Sequence, residues 1–282
     1  MMYRRAGGAS VRSQHSITAW MSRPFVRPVL AAGSVALLTL FSLNALAMSE
    51  TAANDGAATA TGTSDDSRAS SAALTCQSRA HCGSPLKAGL QLAFTGWACT
   101  SGFLARDASA DLYVVTAGHC LESAGLDATW SHGGAEIGRG ARAALWDGTS
   151  ADAGAIRAAE AGPRNQLFAS GRTDIRQFVG VRGHTEQPVD TRVCRSGAGS
   201  GWSCGRITRT DVDTVMGGRT FHHTWWTNFP STAGDSGAPV IQDDGYLLGI
   251  VIATTPTQTI YLPVDLVADV LDLQPCVDAL CS

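Results

Sequence analysis

The sequence lacks a surplus of positive charge. Its 21 Lys and Arg residues are outnumbered by 24 Asp and Glu residues, and five of the arginines lie in the first 47 residues, where there is no acidic residue. Beyond residue 47, 16 basic residues face 24 acidic ones. Nucleic-acid affinity depends on many Lys and Arg side chains that neutralise phosphates. The balance excludes a general polyanion binder, and we expect no nucleic-acid partner.

The sequence also lacks an apolar run of bilayer length near its start. The run at residues 29–43 has 15 residues, whereas a membrane-spanning helix needs about 20. It follows the five arginines and precedes Ala-Leu-Ala at 45–47, with small residues at the −3 and −1 positions. This order favours a secretory signal peptide at residues 1–47 over a membrane anchor. We therefore expect translation from Met1 or Met21, a secreted or periplasmic product, and no stable membrane association after signal removal.

The cysteines lack metal-binding spacing. Neither the first two nor the last two of them form the C-x-x-C pair of a zinc knuckle. An even number in an exported chain favours disulfides over metal ligation. We expect no metal site. The eight cysteines, all beyond the signal, are Cys76, Cys82, Cys99, Cys120, Cys194, Cys204, Cys276 and Cys281.

Composition divides the remaining chain into a linker and one domain. Residues 48–75 are mostly Ala, Ser, Thr, Gly and Asp, which bury too little apolar surface to offset their ordering entropy. We predict a flexible linker or short leader there and a single two-lobed domain at 76–282. Short β-branched runs bounded by turn residues predict an all-β domain. They lie at 112–116, 177–181, 238–241 and 246–252, and only 264–273 has helical spacing.

Three local sequences carry candidate chemistry. His119 lies in Thr-Ala-Gly-His-Cys directly after the first of these strands. Ser236 lies in Gly-Asp-Ser-Gly, whose glycines allow a tight turn in which the Ser236 hydroxyl and the amides of Gly234 and Ser236 converge. Asp152, between them along the chain, is weak evidence alone. The order His, Asp, Ser is that of chymotrypsin-like enzymes and differs from the subtilisin and α/β-hydrolase orders.

With these motifs the sequence resembles the chymotrypsin-like serine endopeptidases, and among them the bacterial streptogrisin and alpha-lytic branch. The resemblance covers about residues 86–262 and includes Cys-Thr-Ser-Gly-Phe at 99–103 and Val-Cys-Arg-Ser-Gly at 193–197. It implies a trypsin-like fold of two six-stranded antiparallel β-barrels, with the active site between them and a C-terminal helix beside them. It also implies disulfides Cys99–Cys120 and Cys194–Cys204. The other four cysteines allow three pairings.

The resemblance assigns roles to the candidate residues. Ser236 is the nucleophile, His119 the general base, and Asp152 the group that orients His119, while the amides of Gly234 and Ser236 form the oxyanion hole. No cofactor is required, and polypeptides are the implied substrates of an expected monomer. Arg195 is expected to form a buried, bidentate ion pair with Asp235, the role that a freed N-terminus has in trypsin-like zymogens.

The specificity pocket departs from the branch. Pro230 stands where the branch has a cysteine. We expect Pro230 and Ser231 to line one wall of the pocket. The opposite wall should consist of Ala253, Thr254 and Thr259. The set contains no carboxylate that could pair with Lys or Arg, and its threonines should leave room for a small or medium apolar side chain only.

Two other functions are compatible with the motifs. A homologue without catalytic activity would use the fold as a secreted binding surface, although this chain keeps all three candidate residues. An esterase would use the same three residues on esters, although the sequence lacks the G-x-S-x-G turn usual for lipases. Elsewhere, His222 and His223 are expected to be structural residues of a strand, and His132 and His184 to be solvated.

Overall fold

The structure is a computed structural model that describes residues 76–144, 151–158, 165–171 and 173–277. The chain divides into the units Met1–Asp65 and Asp66–Ser282, and every described residue belongs to the second. The predicted signal peptide, the predicted linker and Cys281 lie outside the described residues. Within the described ranges, no helix has the length and apolar character needed to cross a membrane.

Strands dominate the domain, as predicted. In chain order the elements are β1 (Gln91–Phe94), β2 (Trp97–Thr100), β3 (Phe103–Arg106), β4 (Leu112–Thr116), α1 (Gly118–Ala124), β5 (Thr129–His132), β6 (Ala135–Ala143), β7 (Gly154–Ala158), β8 (Gln166–Phe168), β9 (Ile175–Gln177), β10 (Gly180–Val181), β11 (Arg192–Gly197), β12 (Gly201–Met216), β13 (Arg219–Thr227), β14 (Pro239–Gln242), β15 (Tyr246–Thr254), β16 (Thr259–Pro263), α2 (Val264–Leu271) and β17 (Gln274–Pro275).

The strands form two large sheets, one for each lobe. The first has eight strands in the order β17-β3-β4-β7-β6-β5-β1-β2. The second has seven strands in the order β10-β15-β14-β11-β12-β13-β16, and β15 also pairs with β16. That additional pairing closes six antiparallel strands into a ring, with β10 parallel to β15 at its side. The predicted all-β, trypsin-like fold is confirmed, although the strands number eight and seven rather than six in each sheet.

The hydrophobic core follows the two lobes. One cluster fills the first lobe around Val114 and Trp130, and a second fills the other lobe around Val240 and Tyr261. A third cluster joins residues of both lobes, among them Val115 and Ile250. The β4 strand is buried along its whole length, because Val114 packs in the cluster of the first lobe and Val115, on the opposite face, in the shared cluster. The two lobes are therefore joined by a shared apolar cluster.

The C-terminal helix forms as predicted and then returns the chain to the first lobe. Its apolar face buries Val264, Val267 and Leu271, and it ends at Leu271, two residues before the predicted end, with the C-cap residue Asp272 in the left-handed conformation. Arg142 of the first sheet donates hydrogen bonds of 2.7 and 2.9 Å to the carbonyls of Leu271 and Asp272. A cation is favourable there because the last carbonyls of a helix are unsatisfied.

One predicted strand is interrupted. Residues 177–181 were expected to form one strand, but β9 ends at Gln177 and β10 begins at Gly180. The chain changes sheets at this point, since β9 pairs with β8 whereas β10 pairs with β15. Phe178 is buried and Val179 is exposed. The predicted strands at 238–241 and 246–252 are confirmed as β14 and β15.

Disulfides tie the domain at several points. They join Cys99 to Cys120 and Cys194 to Cys204, the two pairs that the resemblance implies. Of the pairings left open for the other four cysteines, Cys76–Cys82 is present. Cys276 is also disulfide-bonded.

The prediction of a solvated His132 is wrong. Its side chain is buried, and its ring nitrogens lie 2.8 Å from the Gln91 carbonyl oxygen and 3.0 Å from that of Cys82. The ring thereby links the segment after Cys76 to β5, a contact between distant residues that the surrounding Gly-rich sequence does not reveal.

Candidate active site

Strand register brings two of the candidate residues together. β4 pairs with β7 so that Thr116 faces Gly154. His119 follows Thr116 by three residues at the start of α1, and Asp152 precedes Gly154 by two, so the side chains meet at one end of the strand pair. Gly118 keeps this junction open, since a Cβ there would lie 3.1 Å from Asp152 Oδ1 and 2.9 Å from the Ala153 carbonyl oxygen.

The three candidate side chains form a hydrogen-bonded line across the cleft. Asp152 Oδ2 lies 2.7 Å from His119 Nδ1, and His119 Nε2 lies 2.8 Å from Ser236 Oγ. Asp152 Oδ1 accepts a second bond of 2.8 Å from the His119 backbone N–H. Asp152 is 2% exposed, so this carboxylate has little access to water and both of its oxygens are used to fix His119.

Electrostatics raise the pKa of His119 above its ordinary value. Burial is the largest influence and lowers the pKa, because it disfavours the charged imidazolium. The hydrogen bond and charge of Asp152, together with the charge of Glu122 in the same helix, raise it by more. The imidazole is therefore a stronger base than a free histidine, as suits a group that takes a proton from a hydroxyl.

The loop that carries Ser236 is held in an unusual backbone conformation. Gly234 has φ +94° and Gly237 has φ +83°, and a Cβ on Gly237 would lie 2.1 Å from Thr116 Oγ1. Thr100 of β2 fixes the loop, since its N–H donates to the Ser236 carbonyl at 2.8 Å and its hydroxyl to the Gly234 carbonyl at 2.6 Å. Within the described chain, the amides of Gly234 and Ser236 donate to no protein acceptor.

Arg195 and Asp235 form a buried ion pair behind this loop. Both side chains are 1% exposed, and Arg195 Nη1 lies 2.6 Å from Asp235 Oδ2. The contact is ionic rather than a directed hydrogen bond, because Nη1 and Nε have no aligned acceptor among the described residues. Arg195 Nη2 instead donates to the Pro230 carbonyl at 3.2 Å. The expected pairing is thus present, but through one nitrogen rather than two.

Backbone donors satisfy most of the Asp235 carboxylate. Its Oδ1 accepts from the N–H groups of Gly199 and Ser200, both at 2.9 Å, and its Oδ2 accepts from Thr232 N–H at 2.8 Å and from the Ser200 hydroxyl at 2.5 Å. Burial lowers the pKa of Arg195, and the charge of Asp235 partly restores it. The carboxylate therefore ties the residue before Ser236 to the β11–β12 turn.

The predicted pocket walls meet through Thr254. Its hydroxyl oxygen lies 2.9 Å from the Ser231 carbonyl oxygen and 3.2 Å from the Ser231 nitrogen. Thr259 is fully buried, and its hydroxyl donates to the Phe229 carbonyl at 2.8 Å. Pro230 is exposed and Ala253 half-buried. The structure thus brings the two predicted walls together, although the Thr259 hydroxyl is occupied by the backbone of the opposite wall.

Two cavities that the motifs did not reveal flank His119. One of about 410 Å³ lies beneath the tip of the β12–β13 hairpin and is lined by Met216, Phe221 and Ile252. Arg219 at that tip pairs with Glu122 of α1 at 2.9 Å. The other cavity, of about 310 Å³, adjoins Ser236 and the tip of the β1–β2 hairpin. A larger cavity of about 650 Å³ lies around Cys82 and the β5–β6 turn, away from these groups.

Arg79 supports the site from the N-terminal segment and was also missed. Its guanidinium donates to the Gly89 carbonyl at 2.8 Å, the Phe168 carbonyl at 3.1 Å and the Ser196 hydroxyl at 2.6 Å, and it also donates to the Ala169 carbonyl. Burial, followed by the charge of nearby Arg195, lowers the pKa of Arg79 to about 10. These partners are 10 to 117 residues distant in sequence, so no local pattern points to them.

Two lobes of antiparallel strands with a His–Asp–Ser line in the cleft define the class of chymotrypsin-like serine proteases. Comparison with known families agrees, since the family model Trypsin matches residues 75–271. The chain belongs to the trypsin family and is a serine endopeptidase.

Solved structures of similar fold are bacterial proteases. A Nocardiopsis protease, NAPase, is 25% identical with a TM-score of 0.58, over 67% of this chain and 97% of that one. The chymotrypsin of Cellulomonas bogoriensis is 23% identical with a TM-score of 0.56, over 68% and 98%. The alpha-lytic protease homolog N4 is 20% identical with a TM-score of 0.54, over 67% and 98%. These likenesses are consistent with the streptogrisin and alpha-lytic branch.

Proposed function

We propose that this endopeptidase is exported and cleaves peptide bonds through an acyl-enzyme on Ser236. As Ser236 Oγ attacks the scissile carbonyl carbon, His119 takes its proton and then gives it to the leaving amine. Water attacks the resulting ester with the same assistance, which frees Ser236. Asp152 holds the His119 tautomer and stabilises the imidazolium. The amides of Gly234 and Ser236 bind the oxyanion, each worth about 3–4 kcal/mol of barrier.

The observation that carries this proposal is the continuous line of hydrogen bonds from Asp152 through His119 to Ser236, at 2.7 and 2.8 Å. The backbone N–H groups of Gly234 and Ser236 also support it. Among the described residues they donate to no protein acceptor, and an oxyanion needs donors that are not already engaged.

The test is labelling with a fluorophosphonate, followed by turnover of casein and of a short-chain ester. In the wild type we expect the label on Ser236 and hydrolysis of casein. In Ser236→Ala we expect both to be lost. The unfolding curve of this variant should be unchanged, because the substitution removes one hydroxyl and no packing. Ser109→Ala, in an exposed loop, is the matched control and should behave like the wild type. Casein hydrolysis by Ser236→Ala contradicts the proposal. Turnover of the ester alone indicates an esterase, and failure to label indicates a binding protein.

The proposed specificity is for a small or medium apolar residue on the acyl side of the scissile bond. The support is the Thr254 side chain, whose hydroxyl reaches from its own wall to the backbone of Ser231 in the opposite wall. A misfit of one or two methyl groups costs about 1–3 kcal/mol, so the preference should be graded. In a peptide library we expect cleavage after Ala, Val, Thr or Leu, and we expect Thr254→Gly to increase cleavage after Phe. A profile dominated by Arg, Lys or Glu contradicts this pocket assignment without affecting the catalytic one.

The proposed organisation is a cleaved signal at 1–47, a flexible linker or short leader at 48–75 and a monomeric protease domain at 76–282. The disulfides among the described residues support export, because they persist in oxidising compartments. N-terminal sequencing of the secreted protein should find a start after residue 47, and light scattering should give the monomer mass. A retained N-terminal segment in the membrane fraction would support the anchor instead.

A further inference from the structure

A small loop closed by a disulfide precedes β1 and carries Arg79 at its centre. Cys76 and Cys82, the two ends of the loop, are bonded to each other. Two contacts fix the loop to the first lobe. The Arg79 carbonyl accepts from the Gln91 N–H at 2.8 Å, and the Cys82 carbonyl oxygen lies 3.0 Å from the buried ring of His132. The disulfide and these contacts together determine where the Arg79 side chain is presented.

The Arg79 side chain joins segments from both lobes. Its guanidinium donates to the Gly89 carbonyl at 2.8 Å and to the Ser196 hydroxyl at 2.6 Å, and also to the carbonyls of Phe168 and Ala169. Gly89 precedes β1 of the first sheet, Phe168 ends β8, and Ser196 belongs to β11 of the second sheet. One side chain thus fastens the disulfide loop to three other segments of the chain.

Ser196 connects Arg79 to the proposed nucleophile through the second lobe. It lies between the two residues of β11 that contact Asp235. Arg195 pairs with Asp235 at 2.6 Å, and Gly197 is so close that a Cβ there would overlap Asp235 Oδ1. A displacement of Ser196 would therefore move Asp235, the residue directly before Ser236.

Gly89 provides a second connection, through the first lobe. Its carbonyl accepts from Arg79, and its N–H donates to the Ser101 carbonyl at 2.7 Å. Ser101 follows Thr100, whose two hydrogen bonds hold the loop that carries Ser236. The two connections reach this loop from different lobes, and both begin at one guanidinium.

We infer that Arg79 is a positioning residue, whose guanidinium holds β11 and the segment before β1 at the spacing that places the amides of Gly234 and Ser236 for the oxyanion. This inference rests on the proposed function, because it requires Ser236 to be the attacking group. Arg79 lies before residues 86–262, the part of the sequence that carries the resemblance. The role therefore belongs to a segment to which the resemblance assigns none.

The test compares Arg79→Met with the matched control Arg142→Met. Arg142 is also half-buried, also donates to backbone carbonyls, and its guanidinium lies 4.8 Å from the centre of the Tyr113 ring, the same distance as Arg79 from the Phe168 ring. Its partners lie at the end of α2 and in the first sheet rather than beside the Ser236 loop. Both substitutions should lower the midpoint of urea unfolding, so lost stability alone does not distinguish them.

Hydrolysis of a peptide anilide, measured without urea, should distinguish them. In Arg79→Met we expect kcat to fall about ten- to hundredfold with little change in KM, because a displacement of about 1 Å at the reacting centre can cost about 10²-fold. Arg142→Met should keep the wild-type kcat. Arg79→Lys keeps a cation with several donors, so its kcat should lie between those of the wild type and Arg79→Met.

Two other readouts separate positioning of the oxyanion hole from general damage. The acid limb of the pH profile should keep its midpoint in Arg79→Met, because Arg79 is not among the groups that shift the pKa of His119. A peptide aldehyde forms a tetrahedral adduct with Ser236 that imitates the transition state. It should bind Arg79→Met more weakly by about the factor lost in kcat/KM, whereas the corresponding peptide acid should bind both proteins equally.

An unchanged kcat in Arg79→Met overturns the inference. An equal loss in Arg142→Met also overturns it, because any weakening of the fold would then slow the reaction. A lower kcat without weaker binding of the aldehyde places the effect outside the oxyanion hole and overturns it as well. If the wild type hydrolyses no peptide and takes up no fluorophosphonate, the proposed function itself fails, and this inference fails with it.

Discussion

Replacing Asp235 by Asn tests whether the buried ion pair organises the Ser236 loop. The substitution keeps the shape of the side chain but removes the negative charge beside Arg195, which is 1% exposed. The side-chain carbonyl oxygen of the Asp235→Asn variant can still accept from the N–H groups of Gly199 and Ser200. Its NH₂ group then faces the Thr232 N–H and the Arg195 guanidinium, and none of these groups can accept a hydrogen bond. Breaking one partner of a buried pair costs about 3–5 kcal/mol, because the other charge is left without compensation.

That cost is large enough to measure in two ways. With a urea dependence of about 2 kcal/mol per molar, a loss of about 4 kcal/mol lowers the unfolding midpoint by about 2 M. Hydrolysis should also fall by about 10²-fold, mainly in kcat, because the neighbouring Gly234 amide is displaced from the proposed oxyanion hole. Urea unfolding is followed by tryptophan fluorescence, and hydrolysis is measured well below the new midpoint.

Asp243→Asn is the matched control for this prediction. Asp243 pairs with Arg192 at 2.5 Å, but the two side chains are 50% and 60% exposed, and exposed pairs contribute about 0–1 kcal/mol. The same chemical change at that position should leave both the midpoint and kcat nearly unchanged. The reasoning is refuted if Asp235→Asn and Asp243→Asn behave alike.

Two further predictions concern His119 and Arg79. Because the pKa of His119 is raised above 6.5 and the base must be neutral, kcat/KM should fall with acid at a midpoint above 6.5. Glu122→Gln removes a charge that raises this pKa and should move the midpoint to lower pH. The control Arg219→Gln keeps the Glu122 carboxylate and should not lower the midpoint. Coincident pH profiles for the wild type and Glu122→Gln would contradict this prediction. Arg79→Met should cost about 2–3 kcal/mol of unfolding free energy in urea, because charged hydrogen bonds are lost; an unchanged midpoint would show that these contacts add no stability.

The sequence predicts the all-β fold, His119 and Ser236 because short local patterns indicate them. Gly-Asp-Ser-Gly requires positive φ at Gly234 and Gly237, and small residues around Ser236 are visible in a short window. Asp152 has no such local pattern, and only its place between His119 and Ser236 along the chain indicates it. The β4–β7 register then explains the meeting of His119 and Asp152, although register itself is not readable from either strand alone.

The supporting residues escape sequence analysis for a common reason. Arg79 and Glu122 acquire their places through contacts across large sequence separations, such as the separation of 97 residues between Glu122 and Arg219. Arginines and glutamates are most often solvated, so nothing marks these ones out. The interrupted strand at 177–181 has the same origin, since pairing partners in two sheets decide where it breaks.

The return of β17 to the first lobe determines when that lobe can be completed. Gln274 pairs with Arg106 of β3, and the Cys276 N–H donates to the Leu104 carbonyl at 2.7 Å. The edge of the first sheet is therefore unpaired until residues almost 170 positions later along the chain are available. Pairing over such a separation is slow, because loop closure must precede the contacts that reward it. A ribosome-bound or partly translocated chain that lacks residues 274–276 cannot close this edge, so we expect the finished first lobe to arise only after these residues have emerged.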